Sequence, residues 1–109
     1  MTSNLDDLEA WARELGEGTL LKPETQAARV QGQRFEGQKV DLGYGLGITT
    51  LNDMVGHNGA IIGYTSFIMA FPEHDMTIVV LGNESNNFTT QSTSIGFALI
   101  KVLYPGQVT

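Results

Sequence analysis

The chain of 109 residues has no cysteine, few basic residues and no long apolar run, and each absence excludes a class of function. Without cysteine it can form no disulfide and perform no thiolate chemistry, although this leaves the compartment open. Six scattered Lys and Arg residues against twelve Asp and Glu give a formal net charge of −6, so we expect neither nucleic acid nor an anionic membrane as a partner. The apolar runs are too short to span a bilayer, so we expect no membrane span.

Metal and cofactor signals are equally scarce. The two histidines, His57 and His74, have no further histidine or carboxylate at ligand spacing, so we expect no metal site. The glycines of residues 43–47 resemble part of a dinucleotide-binding loop, but Thr50 stands where the next glycine should be and no long helix follows. We therefore expect close-packed strand glycines and no cofactor.

Three segments have the pattern of helices. Apolar residues recur at helical spacing near the N-terminus, at Leu5, Leu8, Trp11, Ala12 and Leu15. Ser3 or Asn4 can cap this helix, and Gly16 and Gly18 should end it. A second helix is predicted from Pro23 to about residue 30. A third is predicted from an apolar stripe over residues 95–103, with Thr89 or Thr90 as its cap and residues 104–106 as its end.

The middle of the chain has the pattern of strands. Residues 41–50 carry glycine at every second position, which predicts a short strand with one bare face. Strands are also predicted at about 54–60, 64–71 and 76–82, with a tight turn at 72–75, and residues 31–38 are predicted to form a loop. The expected class is α+β, a three-strand antiparallel meander plus a short extra strand, packed against N- and C-terminal helices.

A polar step, His57-Asn58-Gly59-Ala60, interrupts the first strand of that meander. It can be read simply as a strand end with a satisfied histidine. It can also be read as a substrate-facing edge, because a strand N–H can stabilise an oxyanion and a nearby histidine can move a proton. Glycine lets a substrate lie close to the strand.

Several stretches together resemble the C-terminal part of the penicillin-recognising serine hydrolases of the class C β-lactamase, D-alanyl-D-alanine carboxypeptidase and esterase type. In that family the third active-site motif, Lys-Thr-Gly or His-x-Gly, lies on an edge strand of a five-stranded antiparallel sheet, with two strands and a terminal helix after it. The matching stretches are residues 5–15, 20–25, 44–47 (Tyr-Gly-Leu-Gly), 55–60 (Val-Gly-His-Asn-Gly-Ala), 63–64, 67–73 and 78–83.

The resemblance implies a role for each residue of the step. His57 and Ala60 would be catalytic, His57 through proton transfer or electrostatics and Ala60 through its backbone N–H in the oxyanion hole. Asn58 and Gly59 would bind substrate, Asn58 by contacting its polar end and Gly59 by keeping the strand open. Histidine in place of lysine favours the peptidase and esterase branches, and asparagine in place of a hydroxyl residue weighs against binding of a β-lactam carboxylate.

The sequence lacks the family's nucleophile motif, Ser-x-x-Lys, and its Tyr-x-Asn motif. The positions three residues before Lys22, Lys39 and Lys101 hold Thr19, Glu36 and Ala98, and those two residues after Tyr44, Tyr64 and Tyr104 hold Leu46, Ser66 and Gly106. An oxyanion donor without a nucleophile cannot complete acyl transfer. We therefore expect residues 1–109 to form a single incomplete domain, the C-terminal segment of such a hydrolase, inactive by itself.

The same resemblance leads to expectations about partners. The complete enzyme would act on a small-molecule or peptide acyl substrate. In the family the strand matching residues 76–82 pairs with an N-terminal strand absent here, so we expect a homodimer through this strand or pairing with a missing N-terminal portion.

Two other interpretations remain open. The chain is alternatively a non-catalytic dimeric binding module derived from that fold, or an unrelated α+β domain with chance matches. Its acidic, polar start predicts no export signal, whereas members of the resembled family are often periplasmic or secreted.

Overall fold

A computed structural model of the protein describes residues 1–84 and 91–108, and in these it contains three α-helices and one antiparallel sheet. The helices are α1 (Leu5–Glu17), α2 (Pro23–Gln31) and α3 (Gln91–Leu103), and Pro72–His74 forms one 3-10 turn. The predicted caps of α3, Thr89 and Thr90, lie outside the described residues. Within those residues no helix is both long and apolar enough to cross a membrane.

The sheet has six strands in consecutive order, each antiparallel to its neighbours. They are β1 (Gln33–Arg34), β2 (Leu42–Tyr44), β3 (Thr49–Leu51), β4 (Met54–Ile61), β5 (Tyr64–Phe71) and β6 (Met76–Gly82). The predicted α+β class and the predicted meander of β4, β5 and β6 are confirmed, with strand ends within one residue of the expectation.

Helix α1 begins as the sequence predicts and ends later. The Asn4 side chain accepts a hydrogen bond from the Asp7 N–H at 2.9 Å, which satisfies one free donor of the first turn. Gly18 closes the helix with φ 67°, a left-handed conformation that glycine adopts without strain. The prediction that Gly16 also ends the helix is wrong. Gly16 lies inside it, where a Cβ would come 2.7 Å from Pro72 Cγ, so its small size serves packing.

The prediction of one strand over residues 41–50 is wrong, because this stretch is a hairpin of β2 and β3. The Gly45 N–H donates to the Ile48 carbonyl at 2.8 Å, and Gly47 has φ 69°. Two of the alternating glycines therefore make a turn instead of one bare strand face.

The segment predicted as a loop, residues 31–38, contains the short strand β1. Gln33 is opposite Tyr44 and Arg34 is opposite Gly43 in the pairing of β1 with β2. The Arg34 guanidinium donates to Thr50 Oγ1 at 2.9 Å, which ties the first three strands together.

The core lies on both faces of the sheet because β5 sits between two helical layers. Side chains of β5 alternate between the faces, so Ile68 joins the cluster under α1 while Phe67 and Met69 join the cluster under α3. The α1 cluster consists of Ala12, Leu15, Ile48 and Ile68, and the α3 cluster of Leu51, Met54, Phe67, Met69, Phe71, Ile78 and Ile100. The meander is thereby packed on both of its faces.

Candidate functional site

Strand β4 has two halves that differ in pairing. In the paired half, residues 54–56, every residue is opposite a residue of β3, and Val55 and Gly56 are also opposite β5. In the open half, residues 57–61, every residue is opposite β5, and no pairing with β3 occurs among the described residues. The four candidate residues of the sequence, His57 to Ala60, therefore share one strand edge.

His57 uses both ring nitrogens. Its Nε2 lies 2.6 Å from the Tyr44 hydroxyl, and the two rings meet edge to face with centroids 5.6 Å apart. Its Nδ1 is hydrogen-bonded to the Asn58 carbonyl. The imidazole is held at the sheet edge by two polar partners, one on β2 and one on its own strand.

The Asn58 side chain points towards α3. Its side-chain Nδ2 donates to Thr93 Oγ1 at 3.0 Å, in the first turn of α3. The residue is exposed at the rim of the sheet. The hydrogen bond fixes the direction of its amide next to His57.

Gly59 and Ala60 continue the open half. Gly59 is opposite Ser66 and Ala60 is opposite Thr65 in β5. A Cβ on Gly59 would come 2.8 Å from Ser66 Oγ. Glycine therefore leaves the strand backbone uncovered by a side chain at this position. Thr65, the β5 residue opposite Ala60, is buried. Its hydroxyl lies 2.8 Å from Ser92 Oγ, and this hydrogen bond connects β5 to α3.

A groove of about 520 Å³ runs between the first turns of α1 and this edge. Its polar lining comes from the sheet edge (His57, Asn58 and Ser66) and from the N-terminal segment (Thr2, Ser3 and Asp7), and Trp11 and Leu8 form part of its apolar wall. His57 is opposite Ile68, a member of the α1 cluster, which places the imidazole on the α1 side of the sheet. The groove therefore offers an aromatic surface beside the candidate residues.

The groove is lined by the hydroxyl residues Thr2, Ser3 and Ser66 and by the potential bases Asp7 and His57, but among the described residues no hydrogen bond joins one of these hydroxyls to either base. Ser66 lines it, diagonal to His57 across the two strands. Activation of a serine requires a base within hydrogen-bond reach, and the ring nitrogens of His57 are bonded to Tyr44 and Asn58 instead. No lysine or arginine lines the described part of the groove.

Metal ligands do not converge in the parts of the chain covered by residues 1–84 and 91–108. No group of three His, Asp or Glu side chains lies close enough there to hold an ion. His74 packs against Phe71 and Tyr104, with ring centroids 4.2 and 4.9 Å away, so its environment is aromatic.

Tyr44 is a site residue that the sequence pattern does not reveal. A single strand over residues 41–50 does not predict that Tyr44 lies next to His57. The hairpin brings it there, because Tyr44 is opposite Thr49 and Thr49 is opposite Gly56. The sequence does contain one signal for this arrangement, because Gly45 and Gly47 at this spacing are also compatible with a hairpin turn.

Comparisons with known proteins agree on the type of fold. A family model described as Beta-lactamase matches residues 1–96. Among solved structures, the octameric penicillin-binding protein homologue from Pyrococcus abyssi matches with a TM-score of 0.70 and 23% identity over 97% of this chain. The chain spans about a quarter (25%) of the length of that homologue. A comparison with curated proteins finds no match.

Proposed function

The chain belongs to the Beta-lactamase family, and from this membership we propose that it supplies the substrate-facing strand of a serine hydrolase. Such an enzyme would cleave an amide, ester or lactam through an acyl-enzyme intermediate. The single observation that carries the proposal is the open half of β4, which presents His57, Asn58, Gly59 and Ala60 along an edge beside a groove.

Each residue of this edge has a proposed role. His57 stabilises charge or moves a proton, and Asn58 contacts the polar end of the substrate. Gly59 lets the substrate lie against the strand, and the Ala60 N–H is one donor of the oxyanion hole. We favour a peptidase or esterase over a lactamase, because His57 and Asn58 stand where a lactamase commonly has lysine and a hydroxyl residue.

The nucleophile would come from a portion outside this sequence. The sequence has no Ser-x-x-Lys and no Tyr-x-Asn, and the match covers 25% of the homologue from Pyrococcus abyssi. Loss of the nucleophile removes nearly all turnover in such catalytic units, because their members act together. The chain alone is therefore expected to be inactive.

Two assays of the isolated chain test its inactivity. A nitrophenyl ester measures turnover, and a fluorescent penicillin followed by mass spectrometry measures covalent labelling. We expect no turnover above buffer and an unchanged protein mass. A stoichiometric acyl adduct on any hydroxyl of the chain would show that it carries its own nucleophile and would overturn this part of the proposal.

The role of His57 is tested in a complete assembly, formed by joining or co-expressing the chain with a portion that carries Ser-x-x-Lys and Tyr-x-Asn. We expect ester turnover to appear and to fall at least about a hundredfold in His57→Ala, the lower end of the usual range for loss of a general acid or base. The matched control is His74→Ala, a histidine packed among aromatic rings away from the groove. Equal turnover in both variants would contradict the proposed role.

A second candidate function, a dimeric binding module without catalysis, is favoured by the other edge of the sheet. Within the described residues β6 pairs with β5 and with no further strand. Its sequence, Met-Thr-Ile-Val-Val-Leu-Gly, has no charge that would oppose pairing with another strand. Two copies could join antiparallel through β6 about a two-fold axis and form one continuous sheet.

Helix α3 extends this uncharged surface. Its sheet-facing residues are Ser92, Gly96 and Ile100, and one flank of the helix lines a groove towards β2 and β3 with Phe97 and Lys101. At 100° per residue the opposite flank holds Ile95, Leu99 and Val102, on the side of β6. All three are exposed, Val102 by 80%. The two-fold axis would bring this stripe of each copy next to that of its partner.

Light scattering after size-exclusion chromatography tests the second candidate. We expect a dimer at tens of micromolar, converted to monomer by Leu99→Glu. Leu20→Glu, which places the same charge at an exposed leucine in the link between α1 and α2, is the control and should remain dimeric. A wild-type monomer at that concentration would exclude this function. The homologue from Pyrococcus abyssi is described as octameric, which supports the expectation of self-association.

A further inference from the structure

The hydrogen bonds of His57 determine which of its nitrogens carries the proton. Nδ1 is bonded to the Asn58 carbonyl, and a carbonyl oxygen can only accept. Nδ1 must therefore donate. In the neutral ring Nε2 then has a lone pair and accepts the hydrogen bond that the Tyr44 hydroxyl donates at 2.6 Å.

We infer that Tyr44 is the positioning residue of His57. It holds the ring in one orientation with Nδ1 protonated and Nε2 accepting. The partner that sits on the second nitrogen commonly sets the tautomer of a functional histidine. This assignment adds a residue to the proposed site, and it concerns an arrangement that exists in the isolated chain, with or without catalysis.

Tyr44 is suited to this role because its backbone has little freedom. It lies in β2 between β1 and β3, opposite Gln33 on one side and Thr49 on the other. Its carbonyl packs so tightly on Gly32 that a Cβ there would come 2.1 Å from the oxygen. A hydroxyl carried by a fixed backbone on a rigid ring can select one orientation of the imidazole.

The Tyr44–His57 pair also determines which hydrogen-bonding groups the strand edge presents to a ligand. This extension rests on the proposed function. The Tyr44 hydroxyl proton is used on His57, so the exposed phenol oxygen presents lone pairs. Tyr44 is 42% exposed, so these lone pairs are accessible from solvent. The pair is therefore matched to a hydrogen-bond donor on the substrate, such as an amide N–H, a hydroxyl or an ammonium group, and not to a carboxylate.

Nitrogen NMR of the histidine side chains in the isolated chain tests the assignment at about pH 8.5, where an ordinary imidazole is neutral. In the wild type we expect His57 to show a protonated Nδ1 and a hydrogen-bonded lone pair at Nε2. Tyr44→Phe should move the Nε2 resonance of His57 towards that of an unbonded lone pair. The control Tyr64→Phe should leave it unchanged, because Tyr64 is a tyrosine at the far end of the β4–β5 pairing, opposite Ile61.

Two results would overturn the inference. One is a wild-type His57 protonated at Nε2, and the other is an Nε2 resonance that is the same in wild type and Tyr44→Phe. The His74 resonances report in the same spectrum whether the variant is folded. Should Tyr44→Phe fail to fold, the wild type still decides, because its His57 must be protonated at Nδ1 and its Nε2 must resonate as a hydrogen-bonded lone pair. None of these readouts depends on acyl chemistry, so the inference and the proposed function fail separately.

Discussion

The two halves of β4 belong to one strand but have different surroundings. In the paired half Met54 is 0% exposed, and Gly56 is buried between β3 and β5. In the open half Asn58 is exposed and Ile61 is 66% exposed, and the strand has β5 on one side. The contrast shows how a small sheet can anchor one half of a strand in the core and still leave the other half as an exposed edge.

The difference has a simple origin in the length of β3. That strand has three residues, because a turn at Asn52 and Asp53 precedes β4 and the turn from Gly45 to Ile48 precedes β3. The β3–β4 ladder therefore ends at the pair of Thr49 and Gly56. Everything after Gly56 on β4 lies beyond the reach of β3.

The largest effect is expected from Gly56→Ala. A Cβ on Gly56 would come 2.0 Å from the Ile68 carbonyl oxygen, a backbone atom of the paired strand that cannot rotate away. We expect the free energy of unfolding to fall by about 3 kcal/mol or more, at the upper end of overpacking effects. Urea denaturation followed by circular dichroism measures this.

Gly59→Ala is the matched control in the open half. The new Cβ would meet the Ser66 hydroxyl at 2.8 Å, and that side chain can change rotamer. We expect a change within about 1 kcal/mol. Equal losses for the two glycine variants would mean that the halves are packed alike.

A second, smaller effect is expected from truncation of apolar side chains. Met54→Ala should lower the free energy of unfolding by about 2–3 kcal/mol, because Met54 is fully buried in the α3 cluster. Ile61→Ala in the open half should change it by less than about 0.5 kcal/mol. A loss for Ile61→Ala as large as that for Met54→Ala would place the end of β4 in a packed core.

The smallest expected effect is a pH-dependent change in stability at Glu14 of α1, away from β4. The pKa of Glu14 is lowered below its ordinary value of 4.5, first by the hydrogen bond from the Thr19 hydroxyl and then by that from the Leu20 N–H. A lowered folded pKa gives stability that is fully present above the unfolded pKa and is lost as pH falls through the folded value.

Glu14→Gln should therefore be slightly less stable than the wild type at pH 7, and the difference should shrink below about pH 4.5. Thermal melting at a series of pH values measures it. A difference that stays constant down to pH 2 would show that the Glu14 charge has no part in it.

Much of the fold follows from local sequence. The Asn4 cap and the strands β4, β5 and β6 were predictable, because apolar periodicity and turn residues mark them directly. The hairpin of β2 and β3 was not, because alternating glycines fit both a bare strand and a turn with positive φ at Gly47. That choice depends on pairing with other strands.

The candidate site divides in the same way. The step at His57 to Ala60 is visible in the sequence as a polar interruption of a strand. The hydrogen bond from Tyr44 is not, since it depends on three strands lying side by side in one register. Long-range pairing of this kind follows from the whole sheet and leaves little trace in a single segment.

The central claim is that the open half of β4 has a free edge, and amide hydrogen exchange by NMR measures this directly. Along an antiparallel strand, successive N–H groups point alternately to the two sides. We predict slow exchange through residues 54–56 and an alternation of slow and fast amides through residues 57–61. Uniformly slow exchange from residue 54 to residue 61 in the isolated monomer would contradict the account.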